Sequence, residues 1–125
     1  MTVCRGVRGA IPIASNTKSD ILKAADKLLR ELINKNNIMP NDIASAIFTT
    51  TPDINAEYPA LAARELGWTN VALLCGHEME VSHGLKKCLR ILIHWNTVKS
   101  PEQIVHVYID EAQSLRPDLY IKGTN

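Results

Sequence analysis

The sequence is poor in aromatic residues, 5% of its 125 positions, and close to charge balance, with 14 basic against 13 acidic side chains. A formal charge of +1 leaves no electrostatic footprint for nucleic acid or an anionic membrane surface, so any positive field must be local. No apolar run reaches the ~20 residues that a bilayer-spanning helix needs. The N-terminal MTVCRGVRGA also lacks the apolar core of a signal peptide. The expectation is a cytoplasmic protein that binds neither nucleic acid nor membrane. The three cysteines, Cys4, Cys75 and Cys88, form an odd set without a CxxC pair. A chain of this length can build a core without disulfide staples, so reduced thiols are expected. The absence of any GxGxxG or P-loop motif removes the common nucleotide-binding loops.

What is present suits one globular domain over residues 1 to 125, with 46% hydrophobic residues. Residues 3 to 13, VCRGVRGAIPI, alternate as a first strand and place Arg5 and Arg8 on opposite faces, with Gly6 and Gly9 allowing close approach of a backbone or ligand. Ser15-Asn16-Thr17 opens the clearest helix. Ile21, Leu22, Ala25, Leu28, Leu29, Leu32 and Ile33 follow at the 3.6-residue period, and Asn36-Asn37 is its stop. Pro40-Asn41-Asp42 reads as a short helical turn before a second strand over 45 to 51. A second amphipathic helix is expected over 56 to 66, with Pro59 in its first turn and Gly67 closing it.

The stretch from 71 to 95, VALLCGHEMEVSHGLKKCLRILIHW, carries the main candidates for chemistry. VALLC and CLRILIHW read as strands joined by a polar link, which can bring Cys75, Glu78 and Arg90 round one pocket. Arg90 lies among Leu89, Ile91, Leu92 and Ile93, and a cation emerging from an apolar surface calls for a carboxylate, a ligand anion or water. A capped turn at Ser100-Pro101-Glu102 precedes a last strand over 104 to 109, with Tyr108 near its end. The tail over 112 to 125 loses apolar periodicity and reads as a lid or a frayed end. Strand, helix, strand, helix and three further strands make an α+β fold. It is a mixed five-stranded sheet with two main helices on one face, whose other face is left for self-association to cover.

Several chemistries compete for these residues. Cys75, His77, His83 and Cys88 have zinc-ligand types but match no finger spacing, and His77-Glu78 is not followed by the second histidine of HExxH. A Cys75 nucleophile with His77 as base lacks an orienting third group. Arg8, Arg64, Arg90 and Arg116, with Tyr108, can instead form a pocket for a small polyanion, because guanidinium forks hold carboxylates bidentately. The residues themselves point to an anion-binding enzyme or sensor.

Five segments narrow this further: RGVRGA at 5 to 10, TTPDINAEYPALAAREL at 50 to 66, CGHEMEV at 75 to 81, GLKKCLR at 84 to 90 and HVYIDEAQSLRPDL at 106 to 119. Together they resemble the monofunctional chorismate mutases of the small trimeric class known from Bacillus. The resemblance implies a Claisen rearrangement of chorismate to prephenate without cofactor or metal, in a homotrimer shaped as a pseudo-α/β barrel with sites between subunits. By position it implies that Arg8 and Tyr108 hold substrate carboxylate, that Arg90 faces the breaking ether oxygen, and that Glu78 and Cys75 lie near the ring hydroxyl. Leu74, Gly76 and His77 join the substrate-binding set. Tyr58, where the family most often has phenylalanine, and Arg64 form a wall from the adjacent subunit, and Leu115 and Arg116 belong to the closing tail. The sequence departs from the Bacillus pattern at Leu61, where a lysine faces the mouth, and at Leu74, where a threonine precedes the cysteine. An enamine or imine deaminase-like trimer and a silent metabolite sensor are the rival readings.

Overall fold

The computed structural model of the chain describes residues 1 to 120. In chain order it contains β1 (Val3–Pro12), α1 (Lys18–Asn36), β2 (Ile43–Thr50), α2 (Ala60–Glu65), β3 (Ala72–His77), β4 (Cys88–Thr97) and β5 (Val107–Tyr108). Short 3-10 turns occupy Pro40–Asp42, Pro101–Gln103, Asp110–Leu115 and Pro117–Tyr120. The five strands form one sheet in the order β3-β2-β4-β1-β5. β4 runs antiparallel to both β1 and β2, whereas β5 lies parallel to β1 and β3 parallel to β2, so the sheet is mixed as expected.

The α1 helix begins where the Thr17 side chain accepts the Asp20 N–H and ends at Asn37, whose left-handed backbone closes the last turn. Its apolar stripe, including Ile21, Leu28, Leu29 and Leu32, is fully buried against one face of the sheet. Each of these side chains contributes about 2 kcal/mol through burial. Val7 and Ile11 of β1, Phe48 of β2, and Leu89, Ile91 and Ile93 of β4 meet that stripe, and α2 packs into the same core through Ala60, Ala62 and Ala63. Gly9 is a point of close approach between helix and sheet. A Cβ there would stand 2.9 Å from Leu28 Cδ1 and 3.0 Å from the Val107 carbonyl oxygen, so on its helix side this glycine admits α1 and the neighbouring strand.

Two elements are shorter than their sequence patterns predict. The second helix starts only at Ala60, with Pro59 as its N-cap, because the preceding segment is held as a loop: Asn16 Oδ1 accepts the Asn55 and Ala56 N–H groups at 2.9 and 3.0 Å. The last strand shrinks to Val107–Tyr108 because a helix claims the backbone before it. Asn36, fully buried at the end of α1, donates from Nδ2 to the Val105 carbonyl at 2.9 Å and accepts the Val105 N–H at 2.8 Å through Oδ1. Its Nδ2 also reaches the Leu32 carbonyl at 3.0 Å. Val105 is therefore tied to α1 and cannot join the ladder, and the alternation expected from residue 104 onward begins only at Val107. In the tail, Ala112 is fully buried and packs with Ala10, Cys88 and Tyr108, with Leu115 at the margin of the cluster. Residues 121 to 125 of the tail lie outside the described residues.

Replacing the fully buried Asn36 by alanine removes the partner of both backbone polar groups of Val105, and should lower unfolding free energy by about 2 kcal/mol in urea titration. An unchanged midpoint would mean that water or another side chain satisfies Val105 equally well.

Candidate active site

Alternation along the strands divides the site residues between the two faces of the sheet. In β4, Leu89 and Ile91 point to the helices, so Arg90 between them points to the open face, opposite Thr49 of β2 and Ala10 of β1. In β1, Val7 and Gly9 face the helices and Arg8 faces away. Tyr108, paired with Ala10 across β5 and β1, lies on the same side. Arg8, Thr49, Glu78, Arg90, Leu92 and Tyr108 line a cleft of about 290 Å³ on this open face.

Glu78 reaches the cleft from just beyond β3. Its N–H donates to the Thr50 carbonyl at 2.8 Å, extending the β2–β3 pairing by one residue. Its Oε2 accepts a hydrogen bond from the Thr49 hydroxyl and lies 3.7 Å from Arg90 Nε. The Arg90 and Glu78 side chains are 39% and 29% exposed, so the pair is hydrated and contributes at most about 1 kcal/mol to stability. What it supplies is a cation and a carboxylate fixed side by side above an apolar strand.

Arg8 is anchored through its backbone, whose N–H donates to His106 Nδ1 at 3.0 Å. Burial, reinforced by the positive charges of Arg8 and Arg116, holds the His106 imidazole below its ordinary pKa and so favours the neutral ring that can accept this bond. Arg116 forks onto Asp118, with Nε–Oδ1 at 3.0 Å and Nη2–Oδ2 at 2.7 Å, and also hydrogen-bonds Tyr108. The Arg116 bond holds the exposed Asp118 carboxyl below the usual carboxylate range, with Arg8 adding a smaller pull. Cys88 is buried in a small cluster with Ala10, Tyr108 and Ala112, where burial pushes its thiol up to about 11.

The expected convergence of Cys75 with Glu78 and Arg90 does not occur at the side-chain level. Cys75 pairs with Phe48 and packs against the helix-side core. In an extended segment, residues three apart point to opposite faces, so 75 and 78 diverge. Burial raises the Cys75 thiol pKa above its ordinary value, only partly offset by an Ala60 backbone hydrogen bond and by Arg64. Cys75 and His77, which share a face, line a second cavity of about 340 Å³ with Ile54, Asn55, Tyr58 and Pro59, and His77 Nε2 engages the Ile54 carbonyl at 3.0 Å. Tyr58 is 68% exposed, and Arg64 is exposed on α2. Leu74 faces the open side, paired with Ile47 and 64% exposed. Gly76 pairs with Thr49 there and leaves open space above its backbone.

In the single chain, then, Arg8, Glu78, Arg90, Tyr108 and the Leu115-Arg116 segment gather on the open face, while Tyr58, Arg64 and the Cys75 and His77 side chains stand apart. Sequence reasoning missed Thr49 and His106. Period-two alternation along the expected last strand puts residues 106 and 108 on one face, so the pattern could have found His106, but Thr49 needed the β2–β4 register. Among the described residues, no three His, Cys, Asp or Glu side chains gather as a metal-holding group, and no helix is long and apolar enough to cross a membrane.

The fold and the cleft define a small α+β protein with a cationic site on the uncovered face of a mixed sheet. The sequence pattern of the type I chorismate mutases matches residues 4 to 119. The chorismate mutases of Bacillus subtilis and Thermus thermophilus are 41% and 40% identical to the chain over 116 residues, covering 92% of it and 91% and 95% of their own lengths. A solved chorismate mutase from Clostridium thermocellum superposes with a TM-score of 0.86 at 43% identity, covering 88% of this chain and 98% of that one. The chain belongs to the type I chorismate mutase family, and is an isomerase.

A histidine with a depressed pKa binds fewer protons folded than unfolded, so its contribution to stability is present above the ordinary imidazole value and is lost as pH falls through the folded-state value. His106→Asn, whose Oδ1 can replace Nδ1 as acceptor for Arg8, should lose less stability than the wild type between pH 7.5 and pH 5 in urea titrations. Equal acid sensitivity in both proteins would show that His106 is not held neutral by the fold.

Proposed function

We propose that the protein converts chorismate to prephenate in the open-face cleft by holding the substrate's reactive conformer among fixed charges. The observation that carries this reading is the Arg90 guanidinium set beside Glu78 on a rigid central strand. A pericyclic rearrangement requires no nucleophile, base or metal. Catalysis comes from orienting the diaxial conformer and from stabilising charge that separates as the C–O bond breaks ahead of C–C bond formation. Arg90 stabilises the negative charge gathering on the ether oxygen, and Glu78 faces the ring and its hydroxyl. Arg8, Tyr108 and Arg116 receive substrate carboxylate, for which the Asp118 carboxylate already bound by Arg116 is a chemical precedent. Cys75 takes part through its backbone, together with Leu74, Gly76 and His77, because its raised thiol pKa and its orientation suit no nucleophilic role.

The proposed active assembly is a homotrimer, a pseudo-α/β barrel in which each subunit acts as one domain. Two observations support it. Leu74, Ile47 and Leu92 leave apolar surface on the uncovered face. Tyr58 and Arg64 are displayed away from their own chain's cleft, where they can wall the cleft of a neighbour. In the tail, Leu115 and Arg116 form the segment that closes over bound substrate. Free cysteines, one of them exposed, support a reducing, cytoplasmic setting.

Replacing Arg90 by citrulline, nearly the same shape without the charge, should leave binding within a modest factor yet lower kcat by at least ~10²-fold, the scale for losing a preorganised electrostatic donor. Chorismate loss followed by ultraviolet absorbance measures it. A near-normal kcat in that variant, with Cys75→Ala inactive, would overturn electrostatic catalysis in favour of the thiol. Native mass spectrometry should find trimers, and a stable active monomer would contradict the shared site.

A further inference from the structure

Thr49 is a half-buried hydroxyl at the floor of the cleft, directly across from Arg90 in the β2–β4 register. Its hydroxyl has one proton to donate and directs it to Glu78 Oε2, the same oxygen that lies 3.7 Å from Arg90 Nε. Glu78 has no such support of its own. It follows the end of β3, in a stretch without regular structure up to Cys88, and its side chain has several freely rotating bonds. Its backbone is tied by the bond to the Thr50 carbonyl, but only Thr49 and Arg90 orient its carboxylate among the described residues. Threonine suits that task because β-branching restricts χ1, so the strand itself aims the donor.

We propose that Thr49 is a positioning residue for the rearrangement: its hydroxyl pins Glu78 Oε2 beside Arg90 and turns Oε1 toward the ligand. One oxygen is thus committed to the protein while the other meets the ring hydroxyl and the positive charge that develops in the transition state. Preorganisation of this kind acts on turnover more than on substrate affinity, because the carboxylate otherwise reorients at the moment of reaction. A strand-forming role alone makes a different demand, since valine fills a β position at least as well as threonine.

The inference rests on Glu78 touching the substrate, and the test separates the two. In the full-length protein, Thr49→Val should lower kcat about tenfold or more, the scale of a hydrogen bond to a charged group, with a smaller change in KM. Thr49→Ser, which keeps the hydroxyl, should retain most of the turnover. In a Glu78→Ala background, Thr49→Val should cause no further loss, because the hydroxyl then has nothing to hold. If Thr49→Val keeps the wild-type kcat while Glu78→Ala is impaired, the positioning role is overturned and the proposed site stands. The positioning role is equally overturned if the valine loss recurs in full without Glu78, or if serine fails as badly as valine. A fully active Glu78→Ala overturns both ideas. Should circular dichroism show the valine variant unfolded, the contrast between Thr49→Ala and Thr49→Ser carries the same outcomes.

Discussion

A charged side chain in the central strand of a sheet is costly unless one face of that sheet is left uncovered or a partner compensates the charge. β4 occupies the middle of the order β3-β2-β4-β1-β5, and Arg90 lies between Leu89 and Ile91, which are 0% and 2% exposed. Helices on both faces would bury the guanidinium without water, at a penalty of several kcal/mol unless a partner compensated it. Confining α1 and α2 to one face resolves the conflict. The same strand then serves as core on one side and as the floor of a cationic cleft on the other.

The elements around Arg90 follow from that division. Gly9 lets α1 and β5 close tightly on the helix side, which sends its neighbour Arg8 to the open side. The end of α1, through Asn36, holds the chain just before β5, and His106 then takes the Arg8 N–H, so that Arg8 is anchored through its backbone and Tyr108 is set by the pairing of β5 with β1. Ala112 and Cys88 pack beneath Tyr108 and tie the tail's first turn to the same face. The cleft is therefore built on long-range clamps reaching the rigid core, the arrangement that preorganised electrostatic catalysis demands.

Charge in this site does little for stability. The Arg90–Glu78 and Arg116–Asp118 pairs are at least partly exposed and remain hydrated, whereas the aliphatic contacts of α1 carry the fold. That separation lets the cationic groups engage and release an anion without loosening the core. The apolar surface beside them, with Leu74 64% exposed, is the part of the molecule that a single chain leaves unfinished.

Local patterning determined much of this protein. The 3.6-residue stripe from Ile21 to Ile33 marks α1, the β-branched and aliphatic runs mark β2, β3 and β4, and the lone cation in CLRILIHW singles out Arg90 without any structure. The family motifs were legible for the same reason, since they are contiguous segments. Tertiary structure alone decided the rest, because it depends on partners distant in sequence. Asn36 shortens the last strand from 69 residues away, His106 meets Arg8 across 98, and Thr49 meets Glu78 across 29. The orientation of Cys75 is the sharpest case. Its place in the motif suggested a thiol beside Glu78, but the two-residue period of an extended chain, fixed by pairing with Phe48, turned that thiol to the opposite face.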